Sequence, residues 1–319
     1  MSSSDPLILA ADIGGTNTRV ALLDGTRLRK DTIKRFENAK SDCLEDILAQ
    51  YLSTANAQPD AVSLALAGPV NGSTGKLTNR NWDISTDAAS KVTGGAKTVL
   101  LNDLQAQGCS LPFVAPDSIA EILPGRPAPN DLLDRPSCLV IGLGTGMNIS
   151  PVHYSGNLVI VPPSEAGHIS FASQVPDLSN LGDWMTQRYG HVSTEDILSG
   201  RGVENCYEYA TGLRIPASEV LKNCEAGDPN AETAVSLMVR TLGHFAGDMA
   251  LINMPRGGVY LIGGVARALH PYLHRFGFAE SFADKGRFGS FMTQFPVRIL
   301  QDDYAALMGA ASYAAQRIR

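Results

Sequence analysis

The chain has 319 residues, 44% hydrophobic and 18% charged, enough for two domains with sizeable cores and ordinary for a soluble globular protein. A net charge of −6 argues against a nucleic-acid surface, and no run is apolar for long enough to span a bilayer. The five cysteines, Cys43, Cys109, Cys138, Cys206 and Cys224, are odd in number, widely spread and form no Cys-x-x-Cys pair, so neither a disulfide framework nor a thiolate zinc site is indicated and they read as buried thiols.

The opening Met-Ser-Ser-Ser-Asp-Pro lacks the basic and apolar regions of a signal peptide, so a cytoplasmic protein is expected. Residues 7–11 read as a buried strand and residues 20–23 as a second. Between them stands Asp12-Ile13-Gly14-Gly15-Thr16-Asn17-Thr18-Arg19, and Asp24-Gly25 offers a hairpin turn afterwards. A Gly-Gly-Thr turn bares backbone N–H groups, with no Cβ to keep an anion away. A carboxylate at its mouth, Asp12, would repel a naked phosphate but suits a phosphate-bound Mg²⁺. The turn therefore reads as a nucleotide-phosphate clamp. It is not a Walker loop, because the following helix and the Gly-Lys-Ser/Thr ending are missing. A plain tight hairpin, with Asp12 bonding its own backbone, is the alternative.

Residues 27–36 predict a third, more exposed strand. Leu44, Ile47, Leu48, Tyr51 and Leu52 then fall at helical spacing, with Asp42 and Glu45 placed as a capping box, until Pro59-Asp60 breaks the helix. Residues 62–67 and 97–101 predict two more buried strands. Leu100-Leu101-Asn102-Asp103 puts two polar side chains at a strand end, where ligands bind in open α/β sheets. A carboxylate there can act as a general base; the alternative is that the pair only caps a helix beginning near Leu104.

A similar order recurs. Residues 137–141 predict a strand, Gly142-Leu143-Gly144-Thr145-Gly146 a glycine-rich turn, and residues 148–152 and 158–161 two strands around Ser155-Gly156-Asn157. A Rossmann fingerprint is disfavoured, since the spacing is Gly-x-Gly-x-Gly and β-branched residues follow instead of a helix. Glu165-Ala166-Gly167-His168 can aim an acceptor and a switchable donor into one pocket, or hold a surface Glu and a satisfied His. Glu195 is a weaker candidate, because Ser193 or Thr194 can start a helix whose first turn favours an acid. A long helical insertion follows, with the cleanest helix signal over residues 232–252. A strand over residues 259–262 then stops at Gly263-Gly264, and a helix from Tyr304 onward is expected to pack back on the first half. Two copies of one unit, each opened by a glycine hairpin, suggest a duplication with a cleft between the halves.

Taken together, these segments resemble the bacterial-type glucokinases, within the hexokinase and actin-like ATPase superfamily. The resemblance runs through Asp12-Ile13-Gly14-Gly15-Thr16-Asn17, Ala67-Gly68-Pro69-Val70, Leu77-Thr78-Asn79 with Trp82, and Asn102-Asp103. It continues through Gly144-Thr145-Gly146, Glu165-Ala166-Gly167-His168, Gly190-His191-Val192-Ser193, Leu198-Ser199-Gly200, Gly263-Gly264 and Asp284-Lys285-Gly286-Arg287-Phe288. It implies an α/β, two-domain actin-like ATPase (ribonuclease H-like) fold with a duplicated βββαβα core and an active-site cleft. A small domain of residues 1–110 plus 301–319 and a large domain of residues 111–300 are expected.

The resemblance further implies ATP-dependent phosphorylation of the glucose 6-hydroxyl, with Asp103 as general base. Asn102, Asp103, Glu165, His168 and Glu195 would hold the sugar hydroxyls. Gly14, Gly15, Thr16 and Asn17, together with Gly144, Thr145 and Gly146, would clasp the ATP phosphates. Gly263 and Gly264 would admit the adenosine, and Asp12 would orient Mg²⁺ through water. A homodimer is expected, with no nucleic-acid or membrane partner.

Three departures bear on substrate breadth. Ala166 stands where the family commonly has Gly, Met147-Asn148 replaces smaller residues, and Asp303-Tyr304-Ala305-Ala306-Leu307-Met308-Gly309 follows the usual C-terminal pattern only loosely. Another hexose kinase is the main rival reading. A repressor/open-reading-frame/kinase protein is a second, but the cysteine-rich motif of those kinases and the helix-turn-helix of those regulators are both missing. A non-catalytic sugar or nucleotide sensor is a third.

Overall fold

A computed structural model describes residues 5–77, 80–126 and 135–318. Residues 1–4 and the expected motif residues Thr78 and Asn79 lie outside the described residues. In chain order the elements are β1 (Leu7–Ile13), β2 (Asn17–Asp24), β3 (Arg27–Leu28), β4 (Lys34–Glu37), α1 (Leu44–Ala55), β5 (Ala61–Leu66), β6 (Val70–Asn71), β7 (Thr74–Lys76), β8 (Asp83–Ser85), α2 (Thr86–Val92), β9 (Lys97–Asn102) and α3 (Asp103–Ser110). There follow β10 (Ile119–Leu123), β11 (Cys138–Leu143), β12 (Met147–Ser155), β13 (Leu158–Ile160), α4 (Pro176–Tyr189), α5 (Gly200–Thr211), α6 (Ala217–Glu225), α7 (Pro229–Asn253), β14 (Gly258–Ile262), α8 (Gly264–Leu273), α9 (Phe278–Ala283), β15 (Val297–Leu300) and α10 (Ala305–Ala315).

The chain divides into two compact units. One comprises Met1–Pro116, Ser155–Pro163 and Asp302–Arg319; the other comprises Asp117–Tyr154 and Ser164–Gln301. In the first, the main sheet runs β3-β2-β1-β5-β9, with β4 also on β2. β1 and β2 form an antiparallel hairpin, while β5 and β9 add in parallel. Alternation along β1 splits its apolar side chains between two cores. Leu9, Ala11 and Ile13 join Ile47, Leu48 and Tyr51 of α1 on one face. Ile8 and Ala10 join Leu307, Ala310, Ala311 and Ala314 of α10 on the other, as expected for the C-terminal helix.

That second face is built of small residues, so the helices lie close. A Cβ on Gly309 of α10 would come within 1.7 Å of the Ala106 carbonyl oxygen in α3. Gly309→Ala must push the two helices apart, and overpacking of this kind costs about 1–3 kcal/mol. The melting temperature is expected to fall on the order of 5 °C. An unchanged melting curve would show that this contact is not tight.

In the second unit the sheet runs β10-β15-β14-β11-β12. β11 and β12 form an antiparallel hairpin, and β14 and β15 add in parallel on its far side. The first unit has the same pairing signs in the same order. α7 supplies much of the core here, with Val235, Met238, Val239, Leu242 and Ala246 fully buried.

Some sequence expectations are corrected. Residues 27–36 are not one strand: β3 and β4 flank a 3-10 turn at Lys30–Thr32, where the Thr32 hydroxyl donates to the Arg29 carbonyl at 2.6 Å. The capping box of α1 lies one residue later than expected, with Cys43 as the cap and Asp46 accepting its N–H at 3.3 Å. Cys43 is half-buried, whereas the other four thiols are buried and unpaired, and burial pushes those of Cys109 and Cys206 up to about 12.

Candidate active site

The first unit holds two of the expected segments. Asp12 and Arg19 face each other across the β1–β2 hairpin, their side chains 3.3 Å apart and 19% and 35% exposed. Burial raises the Asp12 carboxyl above its ordinary value, and Arg19 only partly offsets this. The turn between them is closed by the Gly14 N–H donating to the Asn17 carbonyl at 3.0 Å, leaving Gly15 half-exposed and Thr16 exposed.

The sign of the Asp12 effect follows from its raised value. The native carboxyl holds its proton more tightly than the unfolded chain does, so its contribution is full below 3.8 and is lost as pH rises through the native value. Asp12→Asn is therefore expected to compare more favourably with wild type in melting temperature near pH 7 than near pH 4. The opposite trend would contradict a desolvated carboxylate.

Asn102 ends β9 and caps α3, so the helix-capping alternative is what its side chain does. Its Oδ1 accepts from the Leu104 N–H at 2.9 Å and its Nδ2 donates to the Gly68 carbonyl at 3.1 Å. The Gln105 side chain accepts from the Asn102 N–H at 3.1 Å and donates to the Val161 carbonyl at 2.7 Å. Asp103, the first residue of α3, is half-buried, and its Oδ1 also accepts from the Leu104 N–H at 2.8 Å. The capping bonds thus hold the strand-to-helix junction in one shape.

In the second unit the remaining expected residues come together around the β11–β12 turn. The Gly144 N–H donates to the Gly146 carbonyl at 2.8 Å, and the Gly200 N–H donates to the Gly144 carbonyl at 2.8 Å. Glu195 reaches this turn: its Oε2 accepts from the Met147 N–H at 2.9 Å. A Cβ on Gly146 would lie 2.6 Å from the same oxygen. Gly167 packs against the Met147 carbonyl, while the flanking Glu165 and His168 side chains are exposed. Gly263, at φ +103° and abutting the Leu143 carbonyl, brings the start of α8 and Gly264 to the end of β11. Among the described residues, no group of three or more His, Cys, Asp or Glu side chains is placed to hold a metal ion.

The glucokinase family profile matches residues 9–317. The chain belongs to the glucokinase family. It is 31% identical to a glucokinase of Mesorhizobium japonicum, covering 96% of this chain and 91% of that protein. It is 30% identical to a glucokinase of Xanthomonas campestris pv. campestris (strain 8004), covering 98% and 96%. The crystal structure of a glucokinase from an Antarctic psychrotroph superposes with a TM-score of 0.85 at 28% identity, covering 98% of this chain and 99% of that one. The chain is thus an enzyme that phosphorylates glucose with ATP.

Within this glucokinase chain, two residues that hold the second turn and its neighbours were not legible in the sequence. Asn148, noted only as a departure, holds the Glu165–His168 turn. Its Oδ1 accepts from the Ala166 N–H at 3.0 Å, and its Nδ2 donates to the Ser164 carbonyl and contacts Glu165 Oε2 at 3.5 Å. The available signal was an amide just after the glycine-rich turn, at the start of β12. Arg201, at the first turn of α5, bridges Asp196 at 2.9 Å and Glu195 at 3.5 Å, next to the carboxylate that bonds the β11–β12 turn. Its sequence neighbourhood carries no comparable signal.

Proposed function

We propose that Asp103 is the general base of glucose phosphorylation. As the glucose O6 attacks the γ-phosphorus of ATP, its proton passes to the Asp103 carboxylate, the O6–P bond forms, and the bond to the β-phosphate oxygen breaks to release ADP. The observation that carries this reading is the half-buried carboxylate at the end of a parallel strand, held at a junction locked by Asn102 and Gln105. Asn102, Glu165, His168 and Glu195 hold the sugar hydroxyls, with Asn102 acting also through its capping bonds.

The turns at Gly14-Gly15-Thr16-Asn17 and Gly144-Thr145-Gly146 bind the phosphates through backbone N–H groups, and Gly263-Gly264 lets the adenosine approach the chain. Bound Mg²⁺ neutralises phosphate charge, and Asp12 suits it as a single carboxylate acting through water. On this reading the fold is the actin-like two-domain type. A cytoplasmic homodimer completes it, on the strength of the family resemblance.

A coupled ADP-release assay with MgATP against glucose, mannose, fructose and N-acetylglucosamine, with a no-sugar control, tests this. Turnover on glucose well above the other sugars is expected. Comparable or better turnover on another hexose would overturn the glucose preference, and none with any sugar would overturn the catalytic reading.

A further inference from the structure

We infer that Asn38 is the positioning residue that sets the shape of the first phosphate turn, an inference resting on the proposed role of Gly14-Gly15-Thr16. Asn38 follows β4 and is completely buried. A buried primary amide needs partners for both its ends, and Asn38 finds them on the β1–β2 hairpin. Its Nδ2 donates to the Gly14 carbonyl at 2.7 Å, and its Oδ1 accepts from the Thr18 hydroxyl at 2.8 Å. Its backbone N–H donates to the Thr16 carbonyl at 2.9 Å. The three bonds engage residues at the start, the tip and the exit of the turn, from a residue twenty or more positions away.

The consequence is one of direction. In a trans peptide the carbonyl and the following N–H point opposite ways. Holding the Gly14 carbonyl toward Asn38 aims the Gly15 N–H away from it, and holding the Thr16 carbonyl does the same for the Asn17 N–H. A two-glycine turn is otherwise free to rotate these groups. Asn38 therefore orders the donors before the nucleotide arrives, so that less conformational freedom is lost on binding. The β2–β4 ladder, pairing Asn17 with Glu37 and Thr18 with Phe36, delivers Asn38 to this place.

Asn38→Asp isolates the effect. It keeps the side-chain size and the backbone bond to Thr16, but replaces the donor to Gly14 with an oxygen facing that carbonyl. In the full-length protein, calorimetric titration with Mg²⁺ and the non-hydrolysable analogue AMPPNP is expected to show Kd raised about tenfold or more. Glucose Kd, measured without nucleotide, should stay within about twofold. Thr18→Val, which removes only the hydroxyl, should give a smaller loss in the same direction, and it carries the test if Asn38→Asp does not fold. Gly15→Val serves as the control on the turn itself.

If Gly15→Val leaves AMPPNP affinity unchanged, the phosphate-turn reading falls, and this inference with it. If Gly15→Val weakens AMPPNP binding but the Asn38 and Thr18 variants do not, only the role of Asn38 is overturned. An equal loss of glucose and nucleotide affinity in those variants would mark Asn38 as merely structural, which also overturns it.

Discussion

Asp103→Asn is expected to lower kcat by about 10²–10⁴-fold while leaving the protein folded and glucose binding close to wild type. The substitution keeps size and shape. An asparagine Oδ1 can still accept from the Leu104 N–H, the bond Asp103 makes at 2.8 Å, so the start of α3 keeps its local geometry. Losing a negative charge at a helix N-terminus costs about 0.3–1 kcal/mol, too little to explain a rate loss of that size. What disappears is the proposed proton acceptor. Single-turnover rates, glucose titrations and melting curves on one preparation separate these effects. A kcat within about tenfold of wild type would remove Asp103 as the base and turn attention to the other carboxylates, Glu165 and Glu195.

The second large effect concerns Gly167. A Cβ there would lie 2.0 Å from the Met147 carbonyl oxygen and 3.5 Å from Glu195 Oε2. Neither neighbour gives way easily, because the Met147 N–H is itself bonded to Glu195 and Met147 directly follows Gly144-Thr145-Gly146. Gly167→Ala must therefore move either the β11–β12 turn or the Glu165–His168 turn. A displacement on the order of 1 Å near the reacting groups is worth about 10²-fold in rate, so kcat/KM for glucose is expected to fall by about that factor, with a lowered melting temperature. Ala166→Gly, one residue away, restores the residue common in the family and should leave kcat/KM within about threefold. If the two variants behave alike, the contact with Met147 is not what shapes the turn.

The contrast between these positions shows what the chain makes legible. The two glycine hairpins, the strand ending in Asn102-Asp103 and the long helix α7 declare themselves through local pattern: alternation, a 3.6-residue period and turn residues at fixed places. The end of β9 was ambiguous for a physical reason, since the residue types that cap a helix are also those that bind a hydroxyl, and Asn102 is engaged as a cap. The stretch 27–36 misled because a strand-like composition conceals the turn that the Thr32 hydroxyl stabilises.

Asn38 and Asn148 were not visible because their partners lie 16 to 24 residues away. No local periodicity reports a side chain whose role is to bind a distant carbonyl or N–H. Glu195 read as the weaker candidate for the opposite reason. Its local setting, a 3-10 turn capped by Ser193, accounts for an acid there, and what ties it to the β11–β12 turn is its bond to Met147 and its close approach to Gly146.

The most direct test is a crystal structure of the chain with glucose and AMPPNP. The glucose 6-hydroxyl should lie about 2.6–3.2 Å from an Asp103 carboxylate oxygen, with O6 facing the γ-phosphorus. Finding the 6-hydroxyl on another group, with Asp103 bound to a different hydroxyl or to none, would contradict the mechanism.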